Sequence, residues 1–392
     1  MVDWKAGASI VGSVYGATAL MHVALPFPSP TIGYACDYNG KPLTYKLNGI
    51  YVMLSILGLW MLLCTRGILQ TDYIYQHIVD AAVVAFILGI SGSLAFYLFT
   101  KNEPYSRCST RDRPVPPKAT NRDRQILQTR TQFAHFILGR AFNPRLHSLD
   151  FKIYGYMVGA IMLLLNIWSG ASRHILVDGS LSNAVLAYST CMTFFCVEYL
   201  HWEEPHLYTY DFFAEKMGFK LWWGCMVFYP FFYCVGMWGG GLAEQKSPEV
   251  DISSLQMMGI VLLYFCGWTL TRGANMQKFY SKMQPTASHC TLGFFVRVSQ
   301  TKIPGTRLLC GGFWGLARHI NYLGEIVQSL AVSLPGFLVS GSWIPFVYVL
   351  YYVLLFLPRQ WDDEVICQQK YGRAKWDEYV QRVPYRIIPY IY

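Results

Sequence analysis

The sequence predicts an all-α, polytopic integral membrane protein with about ten transmembrane helices. Three observations predict it. The 392 residues are 53% hydrophobic and only 14% charged, where soluble domains carry about a quarter charged residues. Apolar runs of about 20 residues, the length that crosses a bilayer, recur near 9–26, 47–65, 76–99, 153–171, 183–200, 217–238 and 254–271, followed by a longer stretch at 324–357. The 12 Trp, 28 Tyr and 24 Phe suit aromatic belts at two membrane interfaces.

The first run follows "MVDWKAGASI", which lacks the basic start of a cleavable signal and so reads as the approach to a span. Each of the next six runs is one span. The stretch 324–357 is too long for one, and Pro335–Gly336 predicts the turn of a tight helical hairpin. Three polar blocks separate or follow the runs. Residues 101–150 carry Lys101, Arg107, Arg111, Arg113, Lys118, Arg122, Arg124, Arg130, Arg140 and Arg145. Residues 272–322 carry Arg272, Lys278, Lys282, Arg297, Lys302, Arg307 and Arg318, and the tail carries Arg359, Lys370, Arg373, Lys375, Arg382 and Arg386. The net charge of +9 is concentrated there, which fits cytosolic loops rather than a nucleic-acid surface. One crossing per span puts all three blocks on the same side, with the N-terminus lumenal. The 11 cysteines show neither a CxxC pair nor zinc spacing, and six of them (Cys64, Cys191, Cys196, Cys225, Cys234, Cys266) lie in apolar runs. No disulfide framework and no metal site is expected.

Three segments of the last third carry chemistry. In "RGANMQKFYSK", Lys278 and Lys282 are four apart and share a helical face. Such a pair suits phosphate, and taken alone also reads as anchoring at the membrane edge. In "LLCGGFWGLARHINYLGE", Gly311, Gly312 and Gly315 let backbone approach a ligand. Trp314 and Tyr322 offer stacking faces, Arg318 and His319 offer charge, and Asn321 offers an amide. Glu325 opens an apolar hairpin, where an ionisable group is expensive unless it is used. In the tail, Arg359, Asp363, Cys367 and Tyr371 fall at helical-turn intervals on one stripe. The last ten residues, "VPYRIIPYIY", are too apolar for a free tail. They are expected to dock over a site built from the two earlier blocks.

"GGFWGLARHINYLGE", "RGANMQK", "DDEVICQQKYG" and "VPYRIIPYIY" resemble the polytopic sterol reductases: the delta-14, delta-7 and delta-24(28) enzymes and the reductase domain of the lamin B receptor. "GKPLTYKLNG" (40–49), "FILGRAFNPRL" (136–146) and "YDFFAEKMGFKL" (210–221) agree, so the resemblance covers nearly the whole chain. It implies a single membrane-embedded reductase domain over 1–392, with N-terminal helices in 1–200 and the sterol and NADPH half in 201–392. It implies an enzyme of the endoplasmic reticulum membrane with its C-terminus and cofactor site cytosolic. Its partners would be a sterol substrate, the lipid bilayer and other sterol-biosynthesis enzymes, with no nucleic acid. Carried over residue by residue, it assigns NADPH binding to Lys278, Lys282, Leu309, Trp314, Asn321, Tyr322, Arg359, Asp363, Cys367, Tyr371 and Tyr379. Lys282 replaces the usual arginine, which keeps the charge and loses the bidentate fork. "YGRAKWDEY" carries one residue more than the usual spacing ahead of Tyr379.

An isolated sterol alkene accepts hydride poorly unless it is protonated or polarised by a diene. Such an enzyme therefore needs an acid in a dry pocket and π-rich or negative surroundings for a cationic carbon. Burial keeps a carboxylic acid protonated at neutral pH. Candidates cluster in "CVEYLHWEEPHLYTYDFFAEK", which an acidic interfacial loop would also resemble. The expected order of acids is Asp211, Glu203, Glu204 and Tyr208. Phe195 falls where delta-14 reductases carry a tyrosine proposed as proton donor, and Cys225 replaces the Asp of the usual "FGDL". "NYLGE" leans toward the delta-14 subgroup. The alternatives are reduction at C24(28) or C7 or of a specialised steroid, an isoprenylcysteine-type methyltransferase using S-adenosylmethionine, and a non-catalytic scaffold. The scaffold of the lamin B receptor uses an added N-terminal domain, whereas here the first run starts near residue 9.

Overall fold

The computed structural model describes residues 2–37, 41–103, 131–213, 215–244, 251–293 and 296–392. Of the basic residues named above, Arg107, Arg111, Arg113, Lys118, Arg122, Arg124 and Arg130 lie outside them. The chain is an all-α polytopic membrane protein. Among the described residues, seven helical segments are long and apolar enough to cross a membrane, against the expected ten. Helices also occupy two further predicted runs: α2 (Gly49–Thr65), which is shorter, and α5 (Asn183–His201).

Two predicted boundaries are corrected. The run expected at 254–271 is α7 (Ser254–Met283), whose 30 residues span about 45 Å. Its last three turns carry the basic segment, so Lys278 and Lys282 do stand on a helix. The hairpin in 324–357 does not turn at Pro335–Gly336. Helix α8 (Ile320–Ser340) runs straight through Pro335 and ends where Gly341 adopts φ +66°, a left-handed conformation suited to glycine. One proline costs a helix a single donor, which membrane helices tolerate when nearby groups compensate. Ser333 Oγ lies 2.8 Å from the carbonyl oxygens of both Ser329 and Pro345, which share its one proton, and it ties the end of α8 to the start of the next segment. Helix α9 (Val347–Tyr371) likewise continues through Pro358, so the last span and the amphipathic tail stripe are one helix. It is followed by α10 (Arg373–Arg382).

The described chain forms two compact units. One comprises Met1–Leu181, Met192–Trp238 and Ala243–Lys246, the other Ser182–Cys191, Gly239–Leu242 and Ser247–Tyr392. The first unit contains α1 (Trp4–Ala24), α2, α3 (Ile78–Phe99) and α4 (Phe151–Asp178). Helix α4 is its core: Met157, Val158 and every residue from Ala160 to Leu165 are buried. Gly155 and Gly159 admit the next element closely, for a Cβ at 155 would lie 3.2 Å from that of Cys225, and one at 159 would strike the Tyr229 ring. That element is α6 (Phe219–Trp223), continued by a π-helix over Gly224–Phe232 that contains Pro230. A widened, proline-bearing helix needs outside donors for its carbonyls in an apolar setting. Tyr15 Oη donates to Met226 O, Asn166 Nδ2 to Pro230 O at 2.8 Å, and Trp238 Nε1 to Phe231 O at 2.9 Å.

In the second unit, Asp251 caps the start of α5 by accepting from the N–H groups of Asn183 and Ala184. Helices α7 and α8 meet through Gly267 and Gly324. A Cβ on Gly267 would lie 2.8 Å from Gly324 O, the small-residue contact that lets membrane helices approach. A hairpin of β1 (His289–Leu292) and β2 (Val296–Ser299) follows α7. The loop beyond it is pinned to α7 by Gln277, whose amide bridges Ser299 O and Gly311 O, each at 2.8 Å. Gly312 sits there with φ +63°, and a Cβ would collide with Val298 and Gln277.

Candidate functional site

The acidic candidates lie in the first unit. Glu203 opens the short helix Glu203–His206 and is 7% exposed. Its Oε2 accepts the N–H of Gly49 at 2.9 Å, so it serves as the cap of α2. The residue at the usual capping position, Asn48, is engaged elsewhere: its side chain meets His22 Nδ1 and His22 O. Gly49 has no room for a Cβ, which would fall 2.7 Å from Glu203 Oε1. Burial pushes the Glu203 carboxyl up to about 8, against the opposing pull of the Gly49 N–H. It is therefore largely protonated at neutral pH. Because the folded protein holds this proton more tightly than the unfolded chain, stability falls as pH rises from the ordinary carboxyl range through about 8. The Glu203→Gln variant is expected to lose this slope. Its thermal midpoint, followed from pH 5 to 9, should drop on the order of a few degrees less than that of the wild type, and parallel curves would refute a buried neutral Glu203.

Asp211 lies in the short helix Tyr210–Phe213. Tyr156, from α4, donates its phenol to Asp211 Oδ2 at 3.0 Å. Lys152, one helical turn earlier and fully buried, donates to the carbonyls of Asp211, Phe212 and Glu215 at 2.6, 3.1 and 2.7 Å. An ammonium has three donors, and all three are used on this one segment. Lys216 fixes the far side, donating to Asn102 Oδ1 and Glu103 O. Asp211 is thus held by its backbone through Lys152 and by its carboxylate through Tyr156. Glu204 is half-buried, and Tyr208 packs its ring 5.5 Å from that of Tyr34. Phe195 packs with Tyr199, Tyr229 and Tyr233 at 6.1–6.4 Å, and Tyr199 lies 5.8 Å from Tyr156. Through Tyr199 these rings form an aromatic cluster that reaches Tyr156. Neither Lys152 nor Tyr156 was singled out from the sequence; a lysine immediately ahead of the apolar run at 153–171 was the available signal.

The residues matched to a cofactor site lie in the second unit. Lys278 Nζ sits 5.3 Å from the centroid of the Trp314 ring, and Trp314 Nε1 donates to Ala274 O on the preceding turn of α7 at 2.8 Å. Lys282 follows one turn after Lys278. Leu309 and Trp314 share a core cluster with Ala274, Ala317 and Ile320. Tyr322 donates its phenol to Asp363 Oδ2 at 2.6 Å and stacks on Phe356 at 4.2 Å and 4°. His319 also stacks on Tyr322, at 5.0 Å and 12°. Arg359 and Asp363 stand one turn apart on α9. Cys367 and Tyr371, on the predicted α9 stripe, pack against a cluster of Ile303, Leu308, Trp376, Tyr379 and Val383. Tyr379 itself is 4% exposed, inside that cluster. Asn321 gives its carbonyl to Thr271 Oγ1 at 3.2 Å, while its side-chain Oδ1 is buried without a partner.

The tail docks, as its composition predicts. Arg318 N donates to Tyr385 O at 2.9 Å and His319 N to Arg386 O at 2.7 Å. The Arg318 guanidinium reaches Glu364 Oε1 through Nε and Nη2 at 3.0 and 2.9 Å, and the carbonyls of Val383 and Pro384 at 2.8 Å. Arg386 joins the same carboxylate at 3.3 Å, and Gln360 donates to Tyr392 Oη at 2.9 Å. Glu364, absent from the sequence expectations, therefore ties the loop, α9 and the tail together. One expectation is corrected: His319 does not offer charge. Burial and the surrounding Arg318, Lys278, Arg386 and Arg359 push its imidazole down to about 3.

The sequence profile of the ergosterol biosynthesis ERG4/ERG24 family matches residues 2–392. The chain is 30% identical over 393 residues to the delta(14)-sterol reductase of Methylotuvimicrobium alcaliphilum, a match over 99% of this chain and 84% of that relative. It is 27% identical over 358 residues to the delta(14)-sterol reductase of Arabidopsis thaliana, covering 90% of this chain and 88% of that one. It is 28% identical over 387 residues to the delta(14)-sterol reductase ERG24 of Saccharomyces cerevisiae, covering 96% and 82%.

Proposed function

Because this chain belongs to the ergosterol biosynthesis ERG4/ERG24 family, we propose that it reduces a carbon–carbon double bond of a sterol with NADPH, the delta-14 bond being its target. The observation that carries the cofactor half is the second unit's pairing of Lys278 with Trp314 and of Tyr322 with Asp363, together with two buried, unpartnered polar atoms beside Tyr322 in the chain, His319 Nε2 and Asn321 Oδ1. Those residues fit a dinucleotide, which presents phosphates, aromatic faces and uncharged hydrogen-bonding edges. NADPH, when bound, supplies the hydride. Lys278 and Lys282 would hold phosphate, Trp314 and Tyr322 would offer ring faces, and Arg359 and Asp363 would set the charge around them. Leu309, Asn321, Cys367, Tyr371 and Tyr379 complete the proposed cofactor-binding set.

Reduction adds a proton to one carbon of the double bond and a hydride to its neighbour. We assign the proton to Asp211, whose carboxylate Tyr156 orients and whose backbone Lys152 fixes. Glu203 ranks lower than its sequence order because its carboxyl is committed to the α2 cap, and Glu204 and Tyr208 follow. The aromatic faces of Tyr199, Tyr229 and Tyr233 suit a developing cation.

The delta-14 choice rests on the names of the relatives and on "NYLGE". One observation favours another double bond: Phe195 places a ring without a hydroxyl in the cluster of Tyr199, Tyr229 and Tyr233. We place the protein in the endoplasmic reticulum membrane as one reductase domain over 1–392, with its C-terminus and cofactor residues cytosolic. Other enzymes of sterol biosynthesis are its proposed neighbours. The test is to incubate membranes containing the protein with NADPH and a panel of delta-14, delta-7 and delta-24(28) sterols. The delta-14 sterol is expected to gain two hydrogens by mass spectrometry. Reduction confined to another sterol would move the double bond, and no reduction of any would reject the reading.

A further inference from the structure

The aromatic stack at the head of α8 contains a polar atom with no role in the fold. His319 is 8% exposed, with one ring face on Tyr322 and its backbone N–H given to the tail at Arg386 O. Its Nδ1 lies 4.0 Å from Asp363 Oδ2. Its Nε2 is buried and has no hydrogen-bond partner. A neutral imidazole carries one N–H and one lone pair, and the tautomer is set by what faces each nitrogen. The Asp363 carboxylate favours the proton on Nδ1. That leaves Nε2 as a bare acceptor shut away from water, a condition that folding alone makes unfavourable. Two residues on, Asn321 Oδ1 is a second buried acceptor without a partner.

We propose that His319 is a further ligand-binding residue, whose Nε2 accepts a hydrogen bond from an uncharged N–H or O–H at the nicotinamide end of the dinucleotide, its carboxamide or a hydroxyl of the nicotinamide ribose. This deepens the NADPH reading above and rests on it. In this tautomer Nε2 has no proton to offer a phosphate oxygen, so phosphate is not its partner. His319 thus serves the uncharged end of the ligand, while the lysines of α7 serve the charged part. The conclusion does not follow from charge, because the imidazole stays neutral across the working pH range. Removing it therefore removes a hydrogen bond and not an ion pair.

The test compares two ligands on the purified full-length protein: NADPH, and adenosine 2′,5′-bisphosphate, which carries phosphate but no nicotinamide. Binding is read from quenching of tryptophan fluorescence. His319→Phe keeps a ring on Tyr322 and removes both nitrogens. It is expected to weaken NADPH about tenfold, to leave the bisphosphate unchanged, and to leave the unliganded thermal midpoint unchanged or raised. Equal weakening of both ligands, or undiminished NADPH affinity, would overturn the proposal. Should the phenylalanine not fold, His319→Gln is read with the same two ligands. Its amide should give a smaller loss confined to NADPH, and a loss shared by both ligands would again overturn it. Lys278→Ala separates the underlying reading. It should weaken both ligands, and if it weakens neither, the dinucleotide assignment itself fails whatever His319 does.

Discussion

Replacing Asp211 with Asn is expected to lower sterol turnover by about three orders of magnitude, the scale of a lost general acid, while NADPH affinity stays within a factor of about two. The asparagine keeps an oxygen for the Tyr156 phenol, which now reaches Asp211 Oδ2 at 3.0 Å, and it leaves untouched the carbonyl that Lys152 holds. The fold should therefore survive, and an unchanged thermal midpoint checks that it does. Turnover is measured with NADPH and the sterol that the panel identifies. A variant that still turns over at more than about a tenth of the wild-type rate would move the acid to Glu204 or Tyr208. The Glu203→Gln variant serves as contrast, because the carboxyl it removes is engaged with Gly49 N–H. Its main effect should fall on stability.

The second large effect is expected from Glu364→Ala. Glu364 accepts from two guanidinium groups, Arg318 and Arg386, and the Arg318 side chain is only 5% exposed. Taking away one member of a buried ion cluster leaves uncompensated charge and costs about 3–5 kcal/mol. Arg318 also holds Val383 O and Pro384 O, so its displacement frees the tail from the loop. Limited proteolysis should then cut within residues 383–392, and NADPH affinity should fall with the loss of order at His319 and Asp363. The same tail removed by truncation should give the same loss of affinity. Protease resistance and a melting midpoint equal to the wild type would show that the tail is held by its apolar side chains alone.

Much of this was legible in the residues, and for definite reasons. Span positions follow from local hydrophobic length, so the runs near 47–65 and 183–200 became α2 and α5 with boundaries shifted by one or two residues. The stripe Arg359–Asp363–Cys367–Tyr371 depends on helical spacing alone, and α9 carries all four. The docked tail was legible because ten residues with one charge cannot rest in water. Other features escaped for equally definite reasons. Whether the chain turns at Pro335 or at Gly341 depends on how the end of α8 packs, and Ser333 ties that end to Pro345 O through a hydroxyl whose role only packing reveals. The π-helix over Gly224–Phe232 has no periodicity of its own to announce it. It is stabilised by Tyr15, Asn166 and Trp238, two of them remote in the chain.

By itself the sequence determined that this is a many-helix membrane protein, which motifs it carries, and which side chains share a helical face. Those properties reside in runs of about 4–20 neighbouring residues, over which hydrophobicity and spacing act directly. Only the tertiary structure decided what each ionisable group does. It committed Glu203 to a helix end 154 positions away, gave Asp211 a phenol and an ammonium-held backbone from α4, made His319 neutral among cations, and set Glu364 at the junction of loop, helix and tail. The physical reason is that charge state and hydrogen-bonding freedom are set by desolvation and by partners brought from distant segments, and neither is a property of any stretch of chain until the chain has folded.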